Sequence, residues 1–350
     1  MKKKLTLFLS LWIIASILLV ACSSATPTPA PKLKVGVMID SGSENDKSFN
    51  EYTLKGAREA ATAADLDFAY IGTQSTGDYE RVLESLIATE NPDLVITVGF
   101  RMGDATARAA QKHPDIKFAI VDNAYFPGFG CPETVKDCYT EEGGLPNVTS
   151  LMFAEDEVGY LAGVLAACMS QTGIVASVAG IEIPPVVRFV TGFQNGARSV
   201  KPDIVTLNQY IPDFNDPAAG KVVAQDFINQ GADVIFGVAG NTGNGGLLAA
   251  KEAGLMAIGV DVDQYFTYPE VKEALLSSAS KKVDVAAAAA VKDFVAGQLT
   301  AGVRIATLAN GEVGLAPYHD WESKIPQDCK DKVKTAETTI KADPTITGAK

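Results

Sequence analysis

The sequence predicts an α/β protein built from two doubly wound parallel-sheet lobes joined by a three-strand hinge. Three observations lead there. Short apolar, β-branched runs recur along the chain: "LKVGVMID", "FAYIG", "DLVITVG" and "KFAIVD", then "GIVASVAG", "IVTLNQY", "DVIFGVAG" and "MAIGVD". Unbroken apolar runs of this length suit strands covered on both faces. Stretches with helical spacing separate them, such as "FNEYTLKGAREAATAA" and "NGGLLAAKEAG", so strand and helix alternate as in a parallel doubly wound sheet. Finally, strand starts near 33, 68, 93 and 117 are echoed near 174, 204, 233 and 256, so the same count runs twice.

In chain order, the first element belongs to neither lobe. Lys2, Lys3 and Lys4 precede an apolar run that ends in Leu19, Val20, Ala21 and Cys22. A positive start, a short apolar stretch and a small residue before a Cys describe an export signal too short for a permanent span. The last four residues have the form of a bacterial lipobox, in which Cys22 becomes the lipid-modified first residue. Residues 1–21 are therefore expected to be removed, and the protein to sit lipid-anchored on the outer face of the bacterial cell membrane. Residues 22–32, "CSSATPTPAPK", are polar and Pro-rich and read as a flexible tether.

Loss of the leader leaves 27 of the 30 Lys and Arg against 42 Asp and Glu, a net charge of −15. Neutralising phosphates needs clustered Lys and Arg, so nucleic acid is not an expected partner.

The first lobe is assigned to 33–152 plus 279–302 and the second to 153–278 plus 303–344. The first crossover falls at "NVTSLMF", ahead of "AEDEVGYLAG". The second follows "ALLSSAS", where the Ala-rich "DVAAAAAVKDFVAGQ" is expected to pack back on the first lobe, with the tail from about Val303 returning to the second.

Open α/β sheets bind ligands beyond the carboxyl ends of their strands, so the loops after the strands carry the chemistry. In "DSGSENDKSFN", Asp46, Ser48 and Asn50 offer donors and acceptors beside Phe49. Helix capping explains Ser and Asn at such a place equally well; Asp46 and Phe49 are the residues that capping does not need. "VAGNTGNGG", containing Gly240, opens a helix but has neither phosphate-loop nor dinucleotide spacing, and close approach of backbone to a neutral ligand explains its glycines as well as anion binding does. "AIGVDVDQ" places Asp261 and Asp263 at a strand end, where a carboxylate takes two hydrogen bonds from a vicinal diol.

Enzymatic chemistry is not expected. His113 and His319 are the only histidines, and no nucleophile elbow, zinc-protease motif or Cys/His pair occurs. No cofactor is expected, and no metal, since the C-x6-C spacing of Cys131 and Cys138 has no His nearby. In an oxidising compartment those two cysteines are expected to close a disulfide. Cys168 reads as buried packing, and Cys329 has no obvious partner. Trp321 is the one tryptophan beyond the leader.

Six ordered segments, "DSGSENDKSFNEYTLKGA", "AEDEVGYLAGVLAA", "TGFQNGARSV", "GADVIFGVAGNTGNGG", "AIGVDVDQ" and "SSASKKVDVAAAA", together resemble the signature segments of the basic membrane protein family, also called PnrA-like or Med-like lipoproteins. The resemblance extends from about residue 33 to about 315. It implies a type I periplasmic-binding-protein fold and a role as the substrate-binding component of an ABC importer. It also implies capture of a purine nucleoside between the lobes and delivery to ABC permease and ATPase subunits, by a protein expected to be monomeric. Carried over by motif, Phe49 and Phe193 would sandwich the base, Asp46 would face its edge, Asp261 would take the ribose hydroxyls, and Lys281 would also face the sugar. Riboflavin or another small ligand is the alternative cargo, and a ligand-sensing signalling lipoprotein the alternative role. The sequence departs from the family at Ser41 to Glu44, at Ser277 and Ser278, and at the 131–138 loop, which is expected to narrow the entrance or add Tyr125, Phe126 or Phe129 to the site.

Overall fold

The computed structural model describes residues 32–73 and 75–349. The leader, Cys22 and all of the tether but its last residue lie outside them. The chain runs β1 (Lys34–Ile39), α1 (Phe49–Ala63), β2 (Asp67–Gly72), α2 (Tyr79–Glu90), β3 (Leu94–Val98), α3 (Gly103–Lys112) and β4 (Lys117–Val121). A small pair, β5 (Phe126–Pro127) and β6 (Gly130–Cys131), comes before β7 (Val148–Phe153). Then follow α4 (Glu155–Met169), β8 (Ile174–Ala179), α5 (Pro184–Val200), β9 (Val205–Tyr210), α6 (Pro217–Asn229), β10 (Val234–Val238), α7 (Gly240–Glu252) and β11 (Met256–Asp261). A one-turn helix α8 (Gln264–Thr267), β12 (Leu275–Ser280), α9 (Val283–Val295), β13 (Gly302–Ala306), β14 (Gly314–Leu315) and α10 (Gln327–Ala342) complete it.

These strands form two six-stranded sheets, ordered β13-β7-β4-β3-β1-β2 and β14-β12-β11-β10-β8-β9. Pairing is parallel throughout the first sheet. In the second, only β14 runs against its neighbour. The central strands β3 and β10 are buried along their whole length, because helices cover both faces and water reaches neither. The edge strands β2 and β9 leave residues exposed.

Helix pairs close the faces. α1 and α9 share one face of the first sheet, so the Ala-rich helix does return to the first lobe, and Gly56 of α1 lies against the Asp284 carbonyl of α9. α4 and α5 pack through reciprocal glycines: Gly159 and Gly163 meet the carbonyls of Phe189 and Phe193, while Gly192 and Gly196 meet those of Asp156 and Tyr160. A Cβ at any of the four would meet backbone, which has no room to yield. The segments "GYLAG" and "TGFQNGA" are thus spaced for a close helix crossing.

Two expectations need correction. Residues 303–306 do not start the return to the second lobe; β13 pairs with β7 at the edge of the first sheet, and the chain crosses only after Ala306. Val303 and Ile305 are exposed there, so this short edge strand lacks the unbroken apolar signature. Cys168 and Cys329 are not a lone packing residue and an unpaired thiol. They form a disulfide joining α4 to α10 across 161 residues of sequence, with Cα atoms 5.7 Å apart. Cys131 and Cys138 are also bonded.

Candidate functional site

The carboxyl ends of β1, β3 and β4 in one lobe face those of β10, β11 and β12 in the other across a narrow cavity. Its free space, counted out to the solvent-open mouth, is about 570 Å³. The walls divide by chemistry. Phe49, Phe189, Phe214, Val186 and Val260 supply apolar faces, and Asp40, Asp46, Asn50, Asp122, Asp261 and Lys281 supply polar ones.

β1 ends directly at Asp40, and the loop beyond it is shaped by Asp46. The Asp46 carboxylate accepts hydrogen bonds from the backbone amides of Ser48 (3.0 Å), Asn50 (2.9 Å) and Glu51 (3.1 Å). This gathers the unpaired amides at the start of α1, as helix N-termini require. The expected division of labour is therefore reversed. Asp46 is the capping residue, whereas the Ser48 hydroxyl and the Asn50 carbonyl oxygen are buried with no hydrogen-bond partner among the described residues. Held this way, Phe49, the first residue of α1, projects into the cavity.

Two further strand ends bring their side chains in by unusual backbone. Asp122 after β4 and Asp261 at the end of β11 both adopt left-handed conformations, φ 67° and 66°, which Asp tolerates better than most residues. Gly240 opens α7 at φ 53°, where an added Cβ would meet the Phe214 carbonyl.

Lys281, 2 % exposed, is the electrostatic centre. Its Nζ lies 2.6 Å from Asp122 Oδ2 and 3.4 Å from Glu155 Oε1. The other Glu155 oxygen accepts from Arg188 Nε at 2.7 Å. The same ammonium faces the rings of Phe49, Phe153 and Phe189 at 4.7, 5.1 and 5.7 Å, a cation–π surround. Burial alone would lower the pKa of Lys281, but Asp122, Glu155 and Asp261 outweigh it and hold it above its ordinary value.

Acids outnumber bases here, and burial pushes them toward their neutral forms. Asp261 is raised to about 7, chiefly by burial; Lys281 opposes the shift, while Asp122, Asp46 and Glu155 reinforce it. Asp46 is raised to about 6 by burial despite its three backbone donors. Asp40 is raised well above the usual carboxylate range by burial, which Arg101 only partly offsets. Among the described residues, the cavity-lining Asn50 Oδ1 and Asp122 Oδ1 are buried without a hydrogen-bond partner.

Of the residues singled out in the sequence, Asp46, Phe49, Asn50, Gly240, Asp261 and Lys281 line the cavity. Ser48 lies behind the wall, fully buried. Phe193 does not reach it. That ring is fully buried in the core beside Phe236, with centroids 5.0 Å apart. Phe189, one helical turn nearer the start of α5, occupies the cavity wall instead. Tyr125, Phe126 and Phe129 do not line the cavity either. Tyr125 is buried with its hydroxyl donating to the Gly103 carbonyl, and Phe129 borders a separate groove with Phe100, Arg101 and Arg108. Asp40, Asp122, Glu155 and Phe189 were missed by sequence reasoning. The first two stand at strand ends, "MID" and "IVD", just as Asp261 does in "GVD". No cluster of His, Cys, Asp and Glu able to hold a metal occurs among the described residues.

Two parallel α/β lobes with a polar and aromatic cleft between them define a solute-binding protein of the periplasmic kind. Residues 33–346 match the family model described as ABC transporter substrate-binding protein PnrA-like, and the chain belongs to that family. It is 29% identical over 365 residues to the CD4+ T-cell-stimulating antigen of Listeria monocytogenes, covering 97% of this chain and 96% of that one. It is 31% identical to basic membrane protein D of Borreliella burgdorferi, over 76% and 73% of the two chains. It is 32% identical to the ABC transporter nucleoside-binding protein BmpA of Lactococcus lactis, over 67% and 65%. Among solved structures, an ABC transporter solute-binding protein of Aeropyrum pernix superposes with a TM-score of 0.79 at 28% identity, over 89% of this chain and 92% of that one.

Proposed function

We propose that the protein captures a purine nucleoside between its lobes and hands it to a membrane permease powered by its ATPase partner. The observation that carries this reading is a pair of buried carboxylates, Asp40 and Asp261, lining one cavity from opposite lobes beside Phe49 and Phe189, with the unpartnered Asn50 Oδ1 and Asp122 Oδ1 in the same wall. A buried acceptor left without a donor is costly, so the preferred ligand is one that supplies donors at both ends and a flat apolar middle. A purine nucleoside does so: ring and exocyclic N–H groups at the base edge and a vicinal diol on the sugar. Asp261 takes the diol, and Asp40 with Asn50 takes the base edge. Asp46, its oxygens engaged by three backbone amides, holds Phe49 in place. Phe189 replaces Phe193 as the second stacking partner.

The same reading has the mature chain acting as a monomer, tethered through lipid on Cys22 outside the cell membrane, where a captured solute is close to its permease. The names of relatives, a nucleoside-binding protein and two lipoproteins, point the same way.

Calorimetric titration of the leader-free protein with guanosine, inosine, adenosine, the free bases, ribose and riboflavin tests the ligand. Heat is expected with at least one purine nucleoside, and silence from all three at tens of micromolar protein sinks the assignment. In the same titration Phe49→Ala and Phe189→Ala are each expected to weaken binding by about 1–3 kcal/mol through lost stacking. Phe193→Ala is expected to act on the fold instead, lowering unfolding free energy by about 3–5 kcal/mol through a core cavity.

A further inference from the structure

In this structure the two lobes are also joined by hydrogen bonds from side chains that do not line the cavity. The fastening point in the first lobe is the turn at Asp46 and Lys47. Lys47 adopts a left-handed backbone, φ 61°, and its amide donates to Glu51 Oε2 at 3.0 Å. The carbonyl oxygens of both residues accept donors from the other lobe. Asn244 Nδ2 of α7 donates to the Asp46 carbonyl at 2.9 Å, and Thr267 Oγ1 at the end of α8 donates to the Lys47 carbonyl at 2.6 Å.

The orientation of Asn244 is fixed by a buried relay. Its Oδ1 accepts from Gln264 Nε2 at 2.9 Å. Gln264 is in turn tied to β11 and β12: its Oε1 accepts from the Val260 backbone amide at 2.9 Å, and its backbone N–H donates to Ser278 Oγ at 3.1 Å. Asn244, Gln264 and Ser278 are all at least 95 % buried. The Asn244 amide therefore has one orientation in which every partner is satisfied, with its N–H aimed at the first lobe. Neither Asn244 nor Thr267 lines the cavity.

We propose that Asn244 and Thr267 are positioning residues that latch the 46–47 turn to the second lobe, so that the time a ligand stays bound depends on two side chains that never touch it. The turn they grip is the one whose Asp46 carboxylate organises the start of α1, so the latch holds Phe49 against the ligand as well as holding the lobes together. This rests on the cleft being the binding site. Bonds made only after the lobes meet slow opening without altering the first encounter, so their loss falls on release rather than on capture.

The test compares wild type with Asn244→Ala, Thr267→Val and Thr267→Ser, using guanosine as probe and stopped-flow measurement of association and release. Each of the first two is expected to release guanosine about fivefold faster, the worth of one net hydrogen bond, with association within about twofold of wild type. Thr267→Ser is expected to restore slow release. Unchanged release, or an equal loss in association, overturns the latch. If wild type binds no guanosine, inosine or adenosine, it is the nucleoside reading that fails, and the latch is then read without ligand. A Lys47→Cys, Thr267→Cys pair should oxidise to a crosslink about fivefold more slowly when Asn244→Ala is added, and equal rates refute it.

Discussion

Asp261 shows how the cleft sets a carboxyl between two charge states. Burial raises it to about 7, where a free Asp titrates near 3.8. A diol donates to the ionised form, so ligand binding favours the carboxylate and releases a proton when the free site is partly protonated. Affinity for a purine nucleoside is therefore expected to fall as pH drops from 8 to 5, and near pH 7 titrations in two buffers of different ionisation heat should reveal proton release. Asp261→Asn should abolish that release; a wild-type affinity flat across this range counts against the diol role. For stability without ligand the sign is opposite. The folded state holds its protons more tightly than the unfolded chain, so the raised acids favour folding at low pH, and that contribution is lost as pH rises from about 4 through about 7. Much of this was legible in the sequence, because an acid at the end of a strand run marks itself, as Asp261 did. What was not legible is which acids are already engaged: Asp46 and Asp40 look alike in "DSGSEND", and only the path of the chain gives Asp46 three backbone amides. Phe189 and Phe193 were equally ambiguous, since residues four apart share a helix face and only the position of the cleft near the start of α5 separates them.

At the level of elements, the strands and their parallel order were readable because helices on both faces demand unbroken apolar runs, while β13, at an edge, left no such run to read. The α4–α10 connection had no local signature at all. Its disulfide unites Cys168 and Cys329, 161 residues apart, and it is the strongest tie of the C-terminal helix to the second lobe, since α10 buries few side chains, Cys329, Val333 and Ile340. Cross-links that close long loops restrict the unfolded chain most in the entropic account. Replacing both cysteines with Ser is expected to lower unfolding free energy by about 2–5 kcal/mol, measured by denaturant titration. The cavity lies on other elements, so nucleoside affinity should stay near that of the parent. A double variant as stable as the parent means that α10 docks without the bond.

Across the whole molecule, three crossing segments at 153–155, 280–283 and 306–314 connect the lobes, Lys281 in the second of them pairs with Asp122, and the hydrogen bonds to the 46–47 turn join the lobes away from those segments. Ligand stabilises only the closed arrangement, so its binding energy appears both as stability and as a change in opening. At a hundred times its Kd, a nucleoside should raise unfolding free energy by about 2.7 kcal/mol. The amides of Ser48, Asn50 and Glu51 donate to Asp46, whose carbonyl accepts the interlobe bond from Asn244. Their hydrogen exchange is expected to slow on ligand addition, because exchange through lobe opening tracks the population of open molecules. Trp321 should be a poor witness to the same event. Its indole N–H donates to the Glu273 carbonyl within the second lobe, 3.0 Å away, so it travels with its surroundings and its emission should barely change. If Trp321 responds strongly while exchange at 48–51 does not, the ligand rearranges the tail of the second lobe and the hinge is not what binding moves.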